Sequence, residues 1–175
     1  MSEDQEQIVW QGKFVTAKVK GKWEYVSRAR GIKAAVILAI DDADHVLLVE
    51  QFRVPLGKPC LELPAGLIGD DDSTPDEDAT TAANRELEEE TGYSAARMEA
   101  VGEFYSSPGM VTESFTLMKA HGLTRVGPGG GVAGENITVH RVPMADLAEF
   151  IESARARGMG IDVRLLMLLA PEILP

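Results

Sequence analysis

Glu86, Glu89 and Glu90 stand at i, i+3 and i+4 in the run Arg85-Glu86-Leu87-Glu88-Glu89-Glu90-Thr91-Gly92-Tyr93. On a helix that spacing brings three carboxylates to one face. Like charges so placed repel, and the cluster costs stability unless a cation sits on it. Carboxylates without matching His or Cys suit a hard divalent cation, Mg²⁺ above all, with Mn²⁺ as its substitute. Mg²⁺ keeps several waters and works with substrate phosphates, so the chemistry indicated is hydrolysis of a phosphate ester or anhydride. The plainer alternative is a solvated acidic helix face.

The elements around the cluster are legible in the chain. Ala79, Ala83 and Leu87 form a small apolar face able to pack on a sheet, and Gly92 ends the helix. Thr74-Pro75-Asp76-Glu77 is a candidate capping box. Residues 8–30 read as a hairpin turning at Lys20-Gly21-Lys22. Trp10, Trp23 and Tyr25 serve there as core and interface aromatics or as a surface on which a base stacks. The apolar run 32–40, the turn at Asp41–Asp44 and the strand 46–52 predict a second hairpin. Residues 61–65 predict a short strand, 67–73 a Gly/Asp loop, and 98–105, 114–120 and 137–142 further strands. Gly127 to Gly131 reads as a flexible loop, the kind that serves as a lid. Residues 144–157 and 162–169 predict two C-terminal packing helices.

Composition narrows the function classes. The chain has 175 residues and a net charge of −11. Residues 70–90 hold ten Asp and Glu against one Arg, whereas the remainder has eighteen acidic and sixteen basic residues. The acidity therefore belongs to the helix region, and no basic patch marks a nucleic-acid partner. Cys60 is alone, which excludes an internal disulfide and a cysteine metal site. His45, His121 and His140 share no ligand spacing. No apolar run reaches membrane-spanning length, so a cytoplasmic location is the default expectation.

Arg-Glu-Leu-x-Glu-Glu-x-Gly-Tyr at 85–93, with Glu77 eight residues earlier and Leu63-Pro64-Ala65-Gly66 ahead of it, resembles the Nudix box. The family usually places its first Gly six residues before the first Glu. Here Gly66 lies eleven before Glu77 and Asp71 occupies the strict position, so Gly66 is the equivalent and Gly69–Thr74 an expanded loop. A helix start at Asp78 fits the family register as well as the capping box does. The resemblance implies an α/β fold, the Nudix-type α/β/α sandwich with a mixed sheet. Residues 31–175 would form the hydrolase domain and 1–30 a β extension used as a dimer contact. It also implies Glu86, Glu89, Glu90 and the Ala65 carbonyl as metal ligands, with Arg85 holding the carboxylates in place.

Further residues take roles from the same resemblance. Gln51-Phe52-Arg53 ahead of Leu-Pro-Ala-Gly resembles the family's phosphate-contacting Arg position, and a guanidinium fork suits phosphate oxygens. Glu62 pairs with Arg53 or faces substrate. Pro108-Gly109-Met110, with Pro108 fifteen residues after Tyr93 and Glu113 nearby, resembles the ADP-ribose pyrophosphatase subgroup. Glu135 is the sole carboxylate from Lys119 to Met144 and is the candidate general base. Glu113 is the alternative base or an extra ligand. The expected activity is Mg²⁺-dependent hydrolysis of a nucleoside diphosphate linked to another moiety, ADP-ribose foremost, by a homodimer. GDP-mannose or another nucleotide-sugar is the alternative substrate. A sensor that binds ADP-ribose without cleaving it is the alternative class.

Overall fold

The structure is a computed structural model that describes residues 5–29, 33–68 and 78–169. The 30/31 domain boundary, Glu77, the capping box at Thr74–Glu77, the whole expanded loop Gly69–Thr74 and Pro171 lie outside them. Eleven strands and two α-helices follow one another among the described residues.

Strands β1 (Gln7–Gln11), β2 (Val15–Lys20) and β3 (Trp23–Arg28) form an antiparallel sheet. The sequence reading found the β2–β3 hairpin but not β1 as a separate strand. The central strand β4 (Lys33–Ala39) shows why its sequence is almost wholly apolar. Val36 and Leu38 enter one core cluster, while Ala35, Ile37 and Ala39 enter another on the opposite face. A strand buried on both faces reads as a continuous apolar run rather than an alternating one.

The hairpin expected between β4 and β5 (His45–Arg53) does not form. Asp41 Oδ1 accepts from the N–H groups of Ala43 and His45, closing a tight turn, and the strands share only an Ile40–Val46 bridge. β5 then leaves for a different sheet. The segment expected as one strand at 61–65 divides likewise, into β6 (Lys58–Glu62) and β7 (Ala65–Ile68) around Leu63-Pro64. Pro64 cannot donate a ladder bond, but its carbonyl accepts from Ile37 N at 2.8 Å. β7 also occupies the start of the expected Gly/Asp loop.

β8 (Tyr93–Tyr105) and β9 (Ser114–Arg125) are longer than expected. With β10 (Thr138–Pro143) and β11 (Gly160–Ile161) they complete two four-stranded sheets, ordered β7-β4-β9-β8 and β10-β5-β6-β11. Each mixes one parallel pair (β4–β9, β6–β11) with antiparallel ones. Helix α1 (Ala79–Thr91) lays Ala83 and Leu87 on β4 and β9, as its small-residue face requires. Helix α2 (Leu147–Ala156) adds Leu147, Ile151 and Ala154 to the other cluster. The second C-terminal helix is not α: Val163–Leu169 is 3₁₀, anchoring Leu165 and Leu168.

Candidate active site

The two ends of α1 are fixed by local chemistry. Asp78 is the N-cap, and its carboxylate accepts from the N–H groups of Thr80 and Thr81. Gly92, at φ 76°, takes the left-handed conformation that closes the C-terminus. Between them, Glu86 and Glu90 face a cleft of about 670 Å³.

Glu90 is the most constrained carboxylate there. It is only 6% exposed, and its Oε2 accepts from Ala65 N–H at 3.0 Å. Burial pushes its pKa up to about 8, and the charges of Glu86 and Glu135 push the same way. The Ala65 N–H and the more distant Arg53 oppose this incompletely. Glu86 lies across β7 at Gly66, where an added Cβ would come within 2.0 Å of its Cγ. Gly66 is thus needed for close approach, whatever the length of the loop that follows. Arg85 sits on the cluster, with Nη1 3.0 Å from Glu86 and 3.5 Å from Glu89. Glu89 departs from the expected trio: it does not line the cleft and is 36% exposed beside Arg85.

The other wall of the cleft carries arginines. Arg53 spends two donors on Glu62, Nε to Oε1 at 2.6 Å and Nη2 to Oε2 at 2.8 Å. Glu62 is 3% exposed, and Arg164 reaches it at 3.2 Å while also pairing with Asp162. Burial opposes the charges on Arg164 and Asp162, but their mutual pairing outweighs it: the Asp162 pKa is lowered and the Arg164 pKa raised. Arg28 comes in from β3 and donates Nε to Glu113 at 2.7 Å. Gln51 and Glu135 line the same cleft.

The structure therefore gathers Glu86, Glu90, Ala65, Arg53, Glu62, Gln51, Glu113 and Glu135 around one space. Pro108, Gly109 and Met110 are not part of it. Val26 N donates to Met110 O and Thr112 N to Val26 O, both at 2.9 Å, so this segment docks along β3. Pro108 and Gly109 line a neighbouring hollow of about 340 Å³ with Lys20, Trp23 and Tyr25. Sequence reasoning missed Arg28, Asp162 and Arg164. They are ordinary charges in segments read as a hairpin and a packing helix, and no local spacing marks them.

The donor set fits a divalent cation. Two carboxylates converge beside a third without enough positive charge to ionise the buried one at neutral pH. Among the described residues no three His, Cys, Asp or Glu side chains close a metal cage alone. Glu86 and Glu90 would leave most of such a cation's shell to waters and substrate oxygens.

Comparison with known proteins bears on the family and the fold. A family model described as the NUDIX domain matches residues 30–155. The ADP-ribose pyrophosphatase of Bacillus subtilis is 37% identical over 91 residues, 52% of this chain and 46% of that protein. The GDP-mannose pyrophosphatase of Cronobacter sakazakii is 35% identical over 159 residues, 86% of this chain and 77% of that protein. A crystal structure of an ADP compounds hydrolase superposes with a TM-score of 0.70 at 25% identity, covering 97% of this chain and 91% of that one.

Proposed function

The chain belongs to the Nudix hydrolase family, and on that premise we propose that it hydrolyses the diphosphate bond of a nucleoside diphosphate derivative, ADP-ribose giving AMP and ribose 5-phosphate. One observation carries this reading: the buried Glu90, with Glu86 and Glu135 beside it, shares a cleft with Arg28, Arg53 and Arg164. A cation site next to several guanidinium groups suits a diphosphate. GDP-mannose is the alternative substrate, because the GDP-mannose pyrophosphatase match spans more of the chain than the ADP-ribose pyrophosphatase match does.

Glu86, Glu90 and the Ala65 carbonyl would hold Mg²⁺ or Mn²⁺, with Glu89 completing the set through a turn of its side chain. Bound there, the cation would neutralise diphosphate oxygens and acidify water. Arg85 keeps Glu86 and Glu89 in register between turnovers. Arg53 and Arg164 offer their remaining donors to a phosphate, while Glu62 orients both. Glu135 is the general base, taking a proton from the attacking water. Glu113 is set aside for that role because Arg28 engages its carboxylate. Gln51 faces the substrate from β5, and Glu62 acts on it from β6 through the two arginines.

The test is product analysis with ADP-ribose, GDP-mannose, NADH and a diadenosine polyphosphate in Mg²⁺. Rapid AMP release from ADP-ribose, abolished by EDTA, is expected. Exclusive cleavage of GDP-mannose would replace the substrate, and tight binding of ADP-ribose without cleavage would make the protein a sensor.

We also assign residues 1–30 as an extension that pairs two chains. The described part exposes Ile8, Val9, Trp10, Phe14 and Trp23, an apolar surface that suits burial against a second copy. Light scattering should give the mass of two chains, and a single-chain mass at micromolar concentration would refute the pairing. No helix among the described residues is long and apolar enough to cross a membrane. A cytoplasmic location fits the lone, buried Cys60 thiol.

A further inference from the structure

The glycine-rich segment between β9 and β10 reads from sequence as a flexible lid, yet it is bound to α1 along its length. Helices end with carbonyls that lack intrahelical partners. Here the loop supplies donors to the end of α1. Val126 N and Gly127 N donate to Gly92 O at 2.8 and 3.0 Å, Gly130 N to Glu90 O at 2.8 Å, and Gly131 N to Glu89 O at 2.9 Å. Such contact needs bare backbone. A Cβ on Gly129 would lie 2.4 Å from the Thr91 carbonyl carbon, and Gly129 has φ +70°. The loop is pinned again where Ile137 N donates to Gly130 O at 3.1 Å, with the Ile137 side chain buried.

Between these anchors the chain turns back on itself and carries Glu135. Glu135 N donates to Val132 O at 3.1 Å, and Val132 N donates to Glu135 Oε2 at 2.9 Å. The carboxylate therefore lies over Gly131. A Cβ there would come within 2.4 Å of Glu135 Oε2 and 3.0 Å of both Glu135 Cβ and Ile137 Cδ1. The first atom met is the end of a flexible side chain, so that contact would displace the carboxylate rather than the fold.

We propose that Gly131 is a positioning residue for the hydrolysis. It hangs on the backbone carbonyl of Glu89 and supports the Glu135 carboxylate, so that the base and the cation-binding helix move as one body. The segment 126–131 is a bracket and not a lid. The proposal rests on Glu135 being the general base, and its test separates the two claims.

The test is a four-member cycle of wild type, Gly131→Ala, Glu135→Gln and the double variant. Turnover and KM are measured with ADP-ribose, or with GDP-mannose if that is the faster substrate. Gly131→Ala should lower kcat by about 100-fold, the usual consequence of misplacing a reacting group by ~1 Å, with KM nearly unchanged. Glu135→Gln should lower kcat by roughly 10²–10⁴-fold. Gln keeps the shape that the new Cβ would strike but cannot act as the base, so the double variant should be no slower than Glu135→Gln alone. Gly158, at φ +82° with no atom within 4 Å of an added Cβ and away from the cleft, supplies the strain control. Gly158→Ala should keep wild-type kcat. Gly131→Asn carries the same Cβ at lower left-handed strain and replaces the Ala variant if that one does not fold. Wild-type kcat in the Gly131 variants, or an equal loss in both backgrounds, would overturn the positioning role. Wild-type kcat in Glu135→Gln alone would remove the base assignment and the proposal with it.

Discussion

Glu90→Gln should lower kcat by about 10²–10³-fold, the scale of losing one charge-stabilising group at a reacting centre, while raising the melting temperature of the metal-free protein at pH 8. Both effects come from the same burial. The wild-type carboxyl has a pKa of about 8 in the folded state, against 4.5 for an ordinary glutamate. Between those values the unfolded chain has released a proton that the folded chain still holds. Stability therefore falls as pH rises through that window, by on the order of 4–5 kcal/mol at its upper end. Gln carries no such penalty and still offers an oxygen to Ala65 N–H. The two proteins should melt alike near pH 4.5, and the variant should melt several degrees higher at pH 8 in EDTA. Added Mg²⁺ should raise the wild-type melting temperature and leave that of the variant nearly unchanged. A variant with wild-type turnover would sink the cation site.

The second large effect is on stability. Glu62→Gln keeps the shape of the side chain and removes the charge that faces Arg53 and Arg164. Breaking a buried pair from one side usually costs about 3–5 kcal/mol, because the remaining charge stays uncompensated. The lower end applies here. The Arg53 side chain is 40% exposed and partly hydrated, and Arg164 keeps Asp162. A loss of about 3 kcal/mol corresponds to roughly 6–12 °C for a chain of this size. The substrate KM should rise as well, since the Arg53 fork keeps one acceptor and meets an NH2 donor in place of the other. Wild-type melting together with wild-type KM would mean that Glu62 neither stabilises the cleft nor orients its arginines.

What the sequence made legible is what local spacing controls. The i, i+3, i+4 carboxylates, the small-residue face of α1 and the glycine at its end are set by helical geometry. So is the double burial of β4, through its unbroken apolar run. What escaped depends on pairings distant in the chain. The turn at Asp41–Asp44 looks like a hairpin turn, and nothing nearby says that β5 pairs with β6 and β10 instead of β4. Arg28 meets Glu113 across eighty-five positions, and Arg164 meets Glu62 across one hundred and two. The glycine-rich segment misled for a related reason. Its composition permits flexibility, but it equally permits the close backbone approach that the end of α1 exploits. Pro108–Met110 gave a turn signal without showing that the turn would dock on β3. The 3₁₀ form of Val163–Leu169 also escaped, since an apolar period does not distinguish it from an α-helix over two turns.

The proposed cation site rests on the carboxylates of α1, Glu90 foremost. Calorimetric titration of the metal-free protein with Mg²⁺ at pH 7 tests it most directly, run in two buffers of different ionisation enthalpy and repeated with Glu90→Gln. Because the Glu90 carboxyl is mostly protonated at that pH, binding should release close to one proton per cation in wild type. In the variant, binding should weaken by at least tenfold, on the scale of losing one contact, and the released proton should vanish. Equal affinity and equal proton release in both proteins, or no Mg²⁺ binding to wild type with or without a substrate diphosphate, would contradict the claim.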